Sequence, residues 1–145
     1  MTDHTRANAA SRERMRNLLV TLDSSAPRPD DGGWSAAETL AHLAFWDRMV
    51  LERWQRADRL GQDIPDPLPD GLSDMVNEAV IGHWAAIPLQ AAAELAERSA
   101  GDIDALVERL SDERVAAARE RGFARLVERA LHRDEHLDSL EGLSR

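Results

Sequence analysis

Two histidines stand four residues apart near the C-terminus, His132 and His136, in the run ALHRDEHLDSLEGL. On a helix that spacing stacks both imidazoles on one side, with Cβ atoms roughly 6 Å apart. Two neutral imidazoles so placed can share one metal ion. A third histidine, His42, occurs in the run AAETLAHLAFWDRM, which is itself amphipathic. If the two helices pack together, three ring nitrogens converge and one coordination position stays open for chemistry. The plainer reading is a pair of boundary histidines, hydrogen-bonded or wet, and a His42 satisfied inside a core. Spacing alone leaves both open.

Other polar residues lie close to these in sequence. Asn77 interrupts an apolar stretch and reads as a partner behind a ligand or as a donor in a pocket. His83, beside Trp84 and near Pro88, reads as packing or pocket lining, and His4 falls in a terminus expected to fray. Asp47, Asp134 and Glu135 are most simply solvated positions on helix faces. The four tryptophans, Trp34, Trp46, Trp54 and Trp84, outnumber the two phenylalanines, and there is no tyrosine. They read chiefly as the bulky core of an Ala-rich bundle, with one or two, Trp46 among them, free to wall an apolar pocket.

The elements that must position these groups are helices. Ala, Leu, Glu and Arg dominate, alternation is absent and β-branched residues are scattered. A first helix is predicted from about Arg6 to Leu22, with Met15, Leu18, Leu19 and Leu22 at helical period, broken by SSAPRPDDGG. Ser35 followed by Glu38 is a capping box, with Trp34 placed to staple the helix start. Leu40, Leu43, Trp46, Val50 and Trp54 then form a buried stripe that Gly61 ends. The run QDIPDPLPDG cannot be helical. Helical pattern resumes near Ser73 and meets Pro88, which either kinks one long helix or separates two; it continues from Leu89 to about Leu110. Ser111 opens a short segment, Gly122 marks a discontinuity, and a last helix runs from about Phe123 to Leu140. Four principal helices with one Pro-rich crossover predict an all-α four-helix bundle, and the crossover is long enough for a topology other than a simple meander.

Composition narrows the function. The 145 residues fit one domain spanning 1–145, and no internal repeat is evident. With no cysteine there is no disulfide, thiolate zinc site or cysteine nucleophile, so any metal must use His, Asp or Glu. A net charge of −9, with all 18 basic residues arginine, argues against a nucleic-acid partner. No apolar run approaches the ~20 residues that span a bilayer, and the N-terminus has no secretory core; a cytoplasmic location is expected. Paired glycosidase carboxylates, a Gly-rich phosphate loop and a Ser-His-Asp order are without support.

Several runs together resemble a known family. GGWSAAETLAHLAFWD is similar to the second-helix signature of the DinB-like superfamily, a tryptophan, a capped helix start and then a His-Leu pair. LHRDEHLDSL resembles that superfamily's last-helix histidine pair, and SDMVNEAVIGHWAAIPL its asparagine-containing third helix. The resemblance implies a bundle of up-up-down-down topology holding a divalent metal, often zinc or nickel, on three histidines, which fall here on His42, His132 and His136. Characterised relatives include thiol transferases using bacillithiol or mycothiol and a mycothiol-dependent maleylpyruvate isomerase. The segment from Trp34 to Asn77 is also similar to the ClbS/DfsB-like bundles, which include a metal-free cyclopropane hydrolase that protects its host from a genotoxic natural product. The histidine pair in the last helix departs from that second group.

The function these readings imply is metal-dependent: a divalent ion activates water or a low-molecular-weight thiol against a small electrophile in an apolar pocket. The alternatives are a metal-free hydrolase and a binding protein, either of them serving self-protection. Trp46, Asn77 and His83 are expected at the pocket or behind the ligands, no general base is assigned, and a homodimer through a helix face is left open.

Overall fold

The structure is a computed structural model that describes residues 1–22 and 33–143. Most of the SSAPRPDDGG break therefore lies outside the described residues. Those residues form helices and connecting turns, with no strand among them. They comprise α1 (Asp3–Leu19), α2 (Ala36–Leu60), α3 (Leu72–Ala85), α4 (Leu89–Glu108), α5 (Asp112–Glu120), a 3₁₀ turn (Ala124–Leu126) and α6 (Ala130–Leu143).

Local sequence accounts for most boundaries. The capping box at α2 is formed: the Glu38 N–H donates to Ser35 Oγ (3.2 Å) and the Ser35 N–H to Glu38 Oε1 (3.0 Å). At its far end Gly61 takes a left-handed conformation (φ 70°) and the Gln62 N–H reaches back to the Ala57 carbonyl at 2.8 Å. Pro88 separates two helices rather than kinking one, standing as the extended residue before α4 (ψ 151°). Ser111 caps α5 by accepting from the Arg114 N–H. Helix α1 starts three residues before the expected Arg6, with Asp3 in its first turn, and stops at Leu19; Leu22 still packs on the core from outside the helix.

Helices α1, α2, α4 and α6 make the bundle. Neighbours around it are α1 and α4, α4 and α2, α2 and α6, and α6 and α1. Side-chain pairings give the directions. Asn8 meets Ala130, Ser11 meets Asp134 and Arg14 meets Asp138 and Glu141, so α1 and α6 run the same way. Along α2, His42 meets His132, Asp47 meets Arg129 and Trp54 meets Leu126, which is antiparallel to α6. Arg12 to Asp104 and Arg16 to Glu97 set α4 antiparallel to α1. The order is up-down-down-up, a correction to the expected up-up-down-down. The physical reason lies in the connections: parallel neighbours need a return over the bundle's length, and the Pro-rich run together with α3 supplies it between α2 and α4.

The core falls into two apolar clusters. One gathers Leu40, Leu43, Trp84, Ala96, Ala100, Leu137 and Leu140; the other gathers Val50, Trp54, Ile103, Val107, Leu126 and Val127. Along α2 and α6 a buried polar layer separates them, containing Asp47, Arg129 and Arg133. The Trp54 indole is fully buried and donates to the Leu126 carbonyl at 2.9 Å.

Candidate metal centre

His42 lies about a quarter of the way along α2, on the face the buried stripe covers, and is itself buried. His132 and His136 occupy successive turns of α6 at half-buried positions. Because α2 and α6 are antiparallel neighbours, the three rings meet. Ring centroids are 5.0 Å apart for His42 and His132, 4.5 Å for His42 and His136, and 4.8 Å for His132 and His136. One ligand atom from each lies within 4.8 Å of the others, and the Nε2 atoms of His42 and His132 are 3.0 Å apart. Nitrogens at about 2.05 Å from a tetrahedral zinc stand about 3.3 Å from one another, so small ring movements would complete such a set.

Electrostatics favour neutral rings. Burial pushes His132 down to about 2, helped by the Arg129 charge and the neighbouring imidazoles. Burial also takes His42 to about 3, with His136 adding to it and Asn77 working the other way. His136 is lowered by burial. At neutral pH all three keep the lone pairs that metal ligation requires. His42 Nδ1 is buried without a hydrogen bond, a sign that its ring is placed for something at Nε2 rather than for its own satisfaction.

The surroundings differ on the two sides. Trp34 packs at 4.5 Å from the His42 ring, lies parallel to His136 at 6.0 Å, and meets Trp84 edge-on. Trp34 was expected to staple the start of α2, but the residue at the stapling position is Thr39, so the indole covers the histidines instead. On the other side a cavity of about 570 Å³ opens, lined by His42, His132, Trp46, Asn77 and Arg129 among others. There the Trp46 Nε1 donates to Asn77 Oδ1 at 2.8 Å, tying α3 to α2.

His83 does not join them. It is exposed on α3, because the neighbouring Trp84 takes the inward position about 100° round the helix. His4 is buried at the start of α1 rather than frayed, with the Thr2 hydroxyl 3.1 Å from its Nδ1. Glu135 is exposed, as expected. Asp47 is not: it is buried and accepts from Arg129 Nε (2.8 Å) and Arg133 Nη2 (3.3 Å). Arg133 also binds Asp104, and Arg129 reaches His132 Nδ1 at 3.3 Å. Burial opposes the Arg133 charge, but Asp47 and Asp104 outweigh it and raise its pKa. This layer has almost no mark in the sequence. Its one signal was the i, i+4 pair Arg129 and Arg133, at the start of the segment that carries the histidines.

The DinB superfamily model matches residues 5–134. The chain belongs to the DinB superfamily. The matched span takes in His42 and His132 and ends two residues before His136, which the geometry alone adds to the group. No curated protein and no solved structure matches. This DinB-superfamily bundle holds a histidine triad that could bind a metal ion, and none of its described helices is long and apolar enough to cross a membrane.

Proposed function

We propose that this DinB-superfamily protein is a divalent-metal-dependent enzyme acting on a small electrophile, with water or a low-molecular-weight thiol such as mycothiol or bacillithiol as the attacking group. The observation that carries the reading is the convergence of His42, His132 and His136 within 4.8 Å from two helices ninety positions apart in sequence. An all-imidazole set suits zinc or nickel. A divalent ion held there would lower the pKa of a water or thiol taken into its open position.

The remaining work belongs to the chain. His42 and His132 line the cavity, and burial keeps both rings neutral. Trp34 and Trp84 exclude water from one side, so exchange runs through the cavity on the other. The cavity's apolar wall, Trp46, Val50 and Leu126, takes the body of the electrophile. Asp47, a buried carboxylate further along α2 from His42, is held by two arginines and is not free to serve as a base.

Metal analysis tests this. Purified wild type should contain or take up close to one equivalent of zinc or nickel, and His132→Ala should take up none. Chelator-sensitive consumption of a thiol with a small electrophile should follow in the loaded protein. Wild type that binds no divalent ion on titration would overturn the reading.

A further inference from the structure

The cavity beside the histidines has an unusual charge for a chain of net −9. Three arginines line it, Arg53, Arg125 and Arg129, and among its described lining residues there is no carboxylate. The three are not equally engaged. Arg129 is spent on the buried Asp47. Arg125 pairs with Glu135 where both are more than half exposed, an ion pair worth little in water.

Arg53 makes no ion pair among the described residues. Its Nη2 donates to the Asp66 backbone carbonyl at 2.9 Å, and its Nε is buried with no partner. Burial and the Arg129 charge act against its positive charge, and the Asp66 charge offsets them only in part. A buried guanidinium donor left unmatched is a place where an incoming acceptor gains most. Beside it stand the apolar side chains of Trp46, Val50, Phe123 and Leu131.

We propose that this cavity binds a small molecule carrying a carboxylate or phosphate group on an apolar body, with the anionic group on Arg53, assisted by Arg125, and the body against Trp46 and Phe123. This rests on the proposed function only in placing the rest of the molecule beside His42 and His132; the anion site itself is built from residues that are not candidate ligands. It names the substrate class of that site as anionic.

Calorimetric titration of benzoate, phenyl phosphate and neutral benzyl alcohol tests it, on chelator-treated and on zinc-loaded protein, with Arg53→Met and Arg53→Lys beside wild type. At least one anion should bind the metal-free wild type, weaken as salt is added and exceed benzyl alcohol by about tenfold, the value of one charge-assisted hydrogen bond. Arg53→Met should lose that tenfold and Arg53→Lys recover part of it, with unchanged circular dichroism. Equal binding of benzyl alcohol, unaltered binding by Arg53→Met, or no binding of either anion would overturn the proposal. Anion binding that needs zinc and ignores Arg53 would overturn it while leaving the metal reading intact. Arg53-dependent binding in a protein that takes up no metal would do the reverse.

Discussion

Arg129 Nη2 lies 3.3 Å from His132 Nδ1, and a guanidinium can only donate. Nδ1 of His132 therefore presents its lone pair, and the ring's proton sits on Nε2, facing His42 Nε2 at 3.0 Å. His42 accepts there and keeps its own proton on Nδ1, the buried atom without a hydrogen bond. If a cation were held through the Nε2 atoms, the His132 proton would have to leave or move to Nδ1, where the Arg129 charge opposes it.

Arg129 should therefore weaken metal binding. Arg129→Gln, whose amide oxygen can accept from an Nδ1–H, should tighten zinc binding about tenfold in a competition titration, the value of one hydrogen bond to a charged group. It should also lower Tm, since Asp47 keeps only Arg133. Weaker zinc binding in this variant would show that Arg129 supports the ligand set instead.

The triad should act as one unit. At about a hundredfold excess of zinc over Kd, mass action adds about 2.7 kcal/mol of stability, or roughly 5–10 °C in Tm. His136→Ala should abolish that shift even though His136 lies beyond the family match. A full shift in the variant would remove His136 from the ligand set.

Metal-free protein should lose stability in acid. The folded pKa values of His42 and His132, about 3 and about 2, lie below the ordinary 6.5. Above 6.5 both folded and unfolded rings are neutral and stability is complete. Below it the unfolded state binds protons that the folded state refuses, at up to about 1.4 kcal/mol per pH unit for each ring. Urea midpoints taken from pH 7 to pH 5 should fall, and His132→Gln should flatten the slope. A slope unchanged by that variant would contradict the assignment.

The buried layer should be intolerant of half-removal. Arg133 is 1% exposed and holds Asp47 and Asp104 together. Arg133→Met leaves Asp47 with Arg129 alone and Asp104 with Arg12 alone, and the lost buried hydrogen bonds to charge are expected to cost about 1.5–3 kcal/mol by urea denaturation. A cost under about 1 kcal/mol would mean that the layer is hydrated.

Asn8 should control the position of His132. Its amide donates to the Val127 carbonyl at 2.9 Å and accepts from the Ala130 N–H at 3.0 Å, where α6 begins. Asn8→Ala leaves both backbone groups unmatched and should cost about 2–4 kcal/mol. The variant should also bind zinc more weakly than wild type, and unaltered zinc affinity would separate this cap from the site.

That same contact explains what could not be read in advance. The pattern from Phe123 onward predicts an unbroken helix, yet the chain makes a 3₁₀ turn and starts α6 at Ala130. No local cap marks the break, because the cap comes from α1, 122 positions away. Asp47 looked like a solvated acid for a similar reason: its partners Arg129 and Arg133 are more than eighty positions distant. By contrast, Ser35 with Glu38, Gly61, Pro88 and Ser111 act on neighbours within five residues, and each did what its type requires.

Short stretches of chain set the helices, most of their ends, the apolar stripe of α2 and the spacing that puts His132 and His136 on one face, since these depend on backbone geometry over a few residues. Tertiary structure decided the direction of each helix, the meeting of His42 with that pair, the cover supplied by Trp34 and the arginine lining of the cavity. Those depend on which faces pack together, and packing is settled by the whole core rather than by any stretch of chain.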